Sequence, residues 1–143
     1  MIRLVAGFTT IVSETLASGV SVRFRADGDS MHPTIRTGDV ITVAPAGVDD
    51  IALGDVLLCR HGAHVLAHRL VGVTGRGVDR RLHLRGDGKA SCDTPVALPD
   101  LLGRLESVER RGRSIALGGA VVTVRRVVHA AASRAIAMVR SRG

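Results

Sequence analysis

Aromatic residues are almost absent from this sequence. Its 143 residues include two phenylalanines and no tryptophan or tyrosine. A platform that binds single-stranded nucleic acid stacks the bases on aromatic side chains, so this scarcity argues against such a function, and no nucleic acid partner is expected. Apolar residues still make up 45% of the chain, which is enough for one domain to pack a core.

Cysteine and long apolar runs are also scarce. Cys59 and Cys92 are too few for a disulfide framework and fit no metal-ligand spacing, so we expect two buried free thiols and neither a metal nor another cofactor. No run reaches the ~18 to 20 apolar residues of a membrane-spanning helix. Polar residues interrupt the apolar run at 4–16, which argues against a signal peptide or anchor. These patterns favour a cytoplasmic or peripherally membrane-associated protein.

The positive charge is concentrated near the C-terminus. Residues 1–103 contain eleven basic and eleven acidic residues, whereas residues 104–143 contain nine arginines and two glutamates. A basic segment that follows a neutral body favours peripheral contact with an anionic membrane, here through residues 118–143. The alternatives are a solvated helix face and an amphipathic helix that docks on its own domain or pairs with a partner.

The periodicity of apolar residues predicts a mainly β domain between two helices. Helical spacing over residues 3–17 indicates a first helix that ends at Gly19. Alternating residues then predict a strand over 20–25, and further short strands follow at 40–44, 56–60, 65–73, 81–85 and 102–109. We therefore divide the chain into an N-terminal helix (1–19), a β domain (20–112) and a basic amphipathic C-terminal helix (113–143).

The segment Gly28-Asp29-Ser30-Met31-His32-Pro33 is the densest sequence signal. A serine that follows a strand and a Gly-Asp turn is exposed on a tight bend, where its hydroxyl and nearby main-chain N–H groups can face a substrate carbonyl. This placement suits a nucleophile with a main-chain oxyanion hole. The simpler interpretation is that Ser30 is an ordinary turn residue.

Three ordered segments resemble the signal peptidase/LexA superfamily. Ser30-Met31-x-Pro33-Thr34-Ile35, followed by Gly38-Asp39 and an apolar strand, resembles the nucleophile box of signal peptidase I. Leu66-Ala67-His68-Arg69-Leu70 occupies the place of the general base, and Arg85-Gly86-Asp87-Gly88 with the later Asp93 resembles the third box. The resemblance covers about residues 20–110 and implies a small, complex β-barrel-like peptidase domain.

The resemblance implies that Ser30 is the nucleophile and His68 the general base, as in the endoplasmic-reticulum and archaeal type of signal peptidase. Imidazole suits this role because it is already largely neutral at pH 7. Two alternatives are Lys89, the single lysine of the chain, and His64, which would face the same side of the strand as His68.

Several residues are expected to support the dyad. By family position Asp87 or Asp93 would orient His68, and Asp93 is preferred because Asp87 has a structural role available in its turn. The candidates for oxyanion and substrate binding are Asp29, Met31, Pro33 and Arg69.

These features predict a serine endopeptidase that cleaves an extended precursor or leader peptide near small residues. The main alternative is a non-catalytic β-module that binds peptide strands by edge pairing. A Gly-Asp-Ser esterase would need an α/β sandwich and a late Asp-x-x-His, which the sequence does not show. A LexA-like repressor would need a DNA-binding domain for which about twenty residues before the β domain leave no room.

Overall fold

The computed structural model describes residues 6–117 of the chain. They form one N-terminal helix, α1 (Ala6–Ala17), and one antiparallel sheet of eight strands. The strands are β1 (Val22–Arg25), β2 (Val40–Pro45), β3 (Val56–His61), β4 (His64–Thr74), β5 (Arg81–Arg85), β6 (Val96–Ala97), β7 (Leu101–Arg110) and β8 (Arg113–Ile115). Three single-turn 3-10 helices, at Val48–Asp50, Gly77–Asp79 and Leu98–Asp100, connect them.

The predicted mainly β class and the first helix are confirmed. Each of the six predicted strands is present, with ends within two residues of the predicted ones. The helix ends as expected, because Gly19 has a positive φ of 87° and its amide donates to the carbonyl of Leu16. Strands β6 and β8 were not predicted, since two or three residues carry too little alternation to be recognised.

The sheet is open, which corrects the barrel-like expectation. Its strand order is β1-β2-β7-β3-β4-β5-β6, with β8 paired to β7, so β1 and β6 are the ends of the path and do not pair with each other. Strand β6 has only two residues and lies between Pro95 and Pro99, neither of which has an N–H to donate to a further strand. Within residues 6–117 nothing therefore closes the sheet.

Two apolar clusters pack on opposite sides of β3. Val56 and Leu58 point into a cluster covered by α1, whereas Leu57 and Cys59 point into a second cluster under β5. All four side chains are fully buried, so β3 is a continuous apolar run without alternating exposure. The neighbouring β4 and β7 are thereby fixed in register on either side of β3.

Other expectations about the ends and the thiols had mixed outcomes. Cys59 is buried and free, but Cys92 is exposed in the loop after β5, so the prediction of two buried thiols is wrong for Cys92.

Residues 113–115 form β8 and do not belong to a C-terminal helix. The rest of that predicted helix lies outside the described residues. None of the helices found between residues 6 and 117 has the length and apolarity needed to traverse a bilayer.

Candidate active site

Ser30 lies on a loop between β1 and β2 whose ends are held together by backbone hydrogen bonds. The amide of Ala26 donates to the carbonyl of Asp39 at 2.8 Å, and the amide of Gly38 donates to the carbonyl of Ala26 at 2.9 Å. Gly28 adopts a positive φ of 101° and exchanges hydrogen bonds with the hydroxyl of Thr37. The loop thus presents Ser30, half-buried, from a clamped base.

His68 on β4 lies beside Ser30. Its Nε2 is 2.9 Å from Ser30 Oγ, and its side chain is fully buried, with 0% of its surface exposed. His68 pairs with Leu57 in the β3–β4 register, so the strand fixes the direction of the imidazole. His64, the competing histidine, is exposed at the hairpin end of the same strand, and Lys89 is exposed in the loop after β5.

The other ring nitrogen of His68 is hydrogen-bonded to Asp93. Nδ1 contacts Asp93 Oδ2, and the Asp93 side chain is 14% exposed. The amide of Asp93 donates to the carbonyl of Leu84 at 2.8 Å, which ties this residue to the end of β5. A carboxylate on Nδ1 holds the proton there and leaves the Nε2 lone pair directed at the serine hydroxyl.

The surroundings of His68 favour the neutral imidazole. Burial lowers the pKa of His68, and the hydrogen bond and the negative charge of Asp93 oppose this effect without cancelling it. The side chain is therefore held mainly uncharged at pH 7, the state in which it can accept a proton from Ser30.

Asp87 has a different role from Asp93. It accepts two hydrogen bonds from Arg69, at 2.8 Å from Nε and 2.7 Å from Nη2, and a third from Thr34 Oγ1 at 2.5 Å. Burial opposes ionisation of Asp87, but Arg69 and Thr34 outweigh it and hold the pKa of the carboxyl below its ordinary value. Arg69 also donates to the carbonyls of Gly54 and Leu117.

This network joins the serine loop to β4 and to the loop after β5. Its hydrogen bonds position the two loops, and in this structure Arg69 is engaged by Asp87 and two carbonyls. Of the other predicted oxyanion and substrate residues, Asp29 and Pro33 are exposed on the serine loop. Met31 is buried, and its Sδ accepts a hydrogen bond from the Asp87 amide at 3.3 Å.

Gly86 and Gly88 are site residues that the sequence reasoning treated only as part of a turn. The Gly88 amide donates to the carbonyl of Ser30 at 3.0 Å. A Cβ on Gly86 would lie 2.4 Å from the Ser30 carbonyl oxygen and 3.0 Å from His68 Nε2. The signal was present in the pattern Gly86-Asp87-Gly88, but only the fold shows that this segment packs against Ser30.

Replacing Gly86 by alanine is expected to separate Ser30 from His68. The new methyl group would overlap the Ser30 main chain, which cannot yield without moving the loop. A displacement of about 1 Å at reacting atoms can lower the rate about 10²-fold, so we expect at least that loss in kcat/KM. The matched control is Gly7→Ala, because a Cβ there has nothing within 4 Å. Equal activity of both variants would contradict the packing described here.

A small hollow opens beside the Ser30 hydroxyl. Its apolar lining comes from four side chains, Ala26, Met31, Ile35 and Ala67, and its volume is about 10 Å³. This volume holds about one water-sized or methyl-sized group. The hollow therefore has room for a small side chain.

Within residues 6–117, no three His, Cys, Asp or Glu side chains lie close enough together to hold a metal ion. The Cys59 thiol is not a candidate nucleophile, because burial raises its pKa to about 12. Comparison with known proteins finds no matching family model and no matching curated relative. The interpretation of the site therefore depends on its geometry.

Proposed function

We propose that this chain is a serine endopeptidase of the signal peptidase/LexA type that cleaves an extended precursor or leader peptide. The single observation that carries the proposal is the alignment of Ser30 Oγ, His68 and Asp93, with His68 fully buried between its two partners. A turn serine with no catalytic role would not need a buried imidazole on one side and a carboxylate behind that imidazole.

In the proposed reaction Ser30 Oγ attacks the carbonyl carbon of the scissile peptide bond. The hydroxyl proton passes to His68 Nε2, and the resulting imidazolium is stabilised by Asp93. When the carbon–nitrogen bond breaks, Nε2 returns the proton to the departing amine. Water then attacks the acyl group on Ser30, again giving a proton to Nε2, and the acid product leaves as the proton returns to Ser30.

The negative oxygen formed during attack would be stabilised by main-chain N–H groups around Ser30. The amide of His32 already donates to the carbonyl of Asp29 at 3.0 Å. The amide of His32 is thus already engaged within the bend. Asp29 directly precedes Ser30, and its side chain is exposed.

The hollow beside Ser30 supports a preference for small residues next to the scissile bond. Its lining of Ala26, Ala67 and two larger apolar side chains leaves space for a methyl group. An alanine, glycine or serine residue of the substrate would therefore fit at this hollow. This agrees with the resemblance to signal peptidases. The experiment is to incubate the protein with a library of extended peptides that vary these positions and to read the products by mass spectrometry.

A fluorophosphonate probe tests the nucleophile independently of the substrate. We expect one adduct, located at Ser30 by peptide mapping and absent from the Ser30→Ala protein. An adduct on another serine would overturn the assignment. Neither an adduct nor any cleavage product would favour the alternative module that only binds peptide strands.

The pH dependence of kcat/KM should show that the base is a histidine with a lowered pKa. His68 must be neutral to act, so activity is lost as pH falls through its pKa. Since burial places that pKa below the ordinary value of about 6.5, the acid limb should lie below pH 6.5 and activity should be near its plateau at pH 7. Far-ultraviolet circular dichroism over the same pH range controls for unfolding. An acid limb near pH 8 or above would point to a different base.

A further inference from the structure

A second hollow lies where the end of the serine loop meets the β7–β8 hairpin, and four of its eight lining residues are arginines. Its volume is about 790 Å³, within the usual range of ligand pockets. The lining comes from the C-terminal end of the serine loop and from the β7–β8 hairpin, and consists of Arg36, Thr37, Gly38, Asp39, Arg110, Arg111, Arg113 and Ile115. It shares no residue with the hollow beside Ser30.

The charge of this arginine hollow is only partly balanced. Arg110 donates two hydrogen bonds to Asp39, at 2.9 and 2.7 Å, and Asp39 is buried. Arg36, Arg111 and Arg113 are exposed, and within residues 6–117 none of the three forms an ion pair with a carboxylate. Four arginines and one aspartate thus line the hollow, which gives its lining an excess of three positive charges.

The hairpin that carries these arginines is locally unfavourable. Arg111 has a positive φ of 53°, a conformation that suits asparagine or glycine better than arginine. Arg110 and Arg113 lie directly opposite each other in the β7–β8 register, and like charges in such a pair destabilise a hairpin. Asp39 offsets the charge of Arg110 but not that of Arg113, and backbone conformations such as that of Arg111 are concentrated at ligand sites.

We propose that the arginine hollow binds a phosphate group, best as a terminal monoester or free phosphate. Such a group carries between about 1.5 and 2 negative charges near pH 7, which matches an excess of three positive charges better than a single carboxylate does. Guanidinium groups bind phosphate oxygens through paired N–H donors, and Arg36, Arg111 and Arg113 are the arginines of the lining that have no carboxylate partner within residues 6–117. The proposal does not depend on Ser30 or on peptidase activity.

Titration of the full chain with inorganic phosphate, followed by calorimetry, tests the hollow. Removing one charged hydrogen-bond donor should raise the dissociation constant for phosphate about tenfold. We expect this increase for Arg36→Gln, Arg111→Asn and Arg113→Gln. The control is Arg76→Gln, which removes an exposed charge from the turn between β4 and β5. Equal weakening in the control, or unchanged affinity in all three hollow variants, would overturn the proposal, as would no wild-type binding at about 10 mM phosphate.

Arg111→Asn separates binding from folding. Asparagine followed by Gly112 is the preferred pair for this turn, so the variant should unfold at the same or a higher temperature than the wild type while it binds phosphate less tightly. A variant with both lower thermal stability and lower affinity would mean that Arg111 has only a structural role.

Vesicles identify the source of the phosphate group. Flotation with phosphatidic acid vesicles, compared with phosphatidylcholine vesicles, should show weaker binding for Arg111→Asn than for Arg76→Gln if the group is a lipid headgroup. Equal vesicle binding by the two variants, together with lost affinity for inorganic phosphate in Arg111→Asn, would assign the hollow to a soluble phosphate compound. Vesicle binding without any affinity for inorganic phosphate would contradict the proposal that the arginine hollow binds a phosphate group.

Discussion

Replacing Ser30 by alanine is expected to lower kcat about 10⁶-fold, and replacing His68 by alanine should cost about as much. The two groups act on the same proton, since Ser30 Oγ lies 2.9 Å from the nitrogen that would accept it. Without the imidazole the hydroxyl has no base beside it, and without the hydroxyl the imidazole has no nucleophile to activate. The Ser30→Ala/His68→Ala double variant should therefore be no slower than either single variant.

The measurement is single-turnover cleavage of the best library peptide, with products quantified by mass spectrometry. Ser91→Ala and His64→Ala are matched controls, because both residues are exposed and one lies on the same strand as His68. The controls should retain activity within about twofold, as is usual for surface substitutions away from a site. Additive losses in the double variant would mean that Ser30 and His68 act separately, which would contradict the dyad.

Strands with a period of two were predictable because that period matches their environment. Val22 to Arg25 alternate between partly or fully buried and exposed side chains, and in β5 the buried Leu82 and Leu84 alternate with more exposed residues. In contrast, a period of two could not show whether the sheet closes into a barrel. It indicates which side chains lie on each face of a strand, but not which strands pair with one another. At the open edge β6 has only two residues and lies between Pro95 and Pro99, which have no N–H to donate to a further strand.

The division of work between Asp87 and Asp93 could not be settled from the sequence alone. Both follow β5 within eight residues, and either could reach a histidine on the neighbouring strand. The structure distinguishes them because Arg69, next to His68 on β4, points to the opposite side of the strand and engages Asp87. Asp93 is then the carboxylate that lies against His68, fixed by its amide hydrogen bond to Leu84.

The packing of Gly86 against Ser30 shows a second limit. A sequence pattern identifies Gly86-Asp87-Gly88 as a turn, but not the chain segment that the turn touches. The contact joins residues more than fifty positions apart and depends on the loops before β2 and after β5 meeting over β4. Residues that support a site from a distant segment of the chain produce no periodic pattern in the sequence. They can be identified only from the three-dimensional structure.

Replacing Asp93 by asparagine is expected to lower kcat about 10⁴-fold without removing either member of the dyad. The amide nitrogen of asparagine can donate to Nδ1, which would move the imidazole proton to Nε2. His68 would then present a donor to Ser30 where it needs an acceptor. The imidazolium formed during attack would also lose the negative charge that stabilises it. Asp79→Asn, at an exposed site in the turn before β5, is the matched control and should leave kcat unchanged.

The pH profile of the residual activity distinguishes this role from a merely structural one. The hydrogen bond and charge of Asp93 raise the pKa of His68 against the lowering by burial. Once Asp93 is neutralised, burial acts with less opposition, so the pKa of His68 falls further and the acid limb of kcat/KM moves to lower pH. If Asp93 only stabilised the loop, kcat would fall with partial unfolding while the limb stayed in place. A limb that does not move in a fully folded Asp93→Asn protein would therefore remove Asp93 from the proposed mechanism.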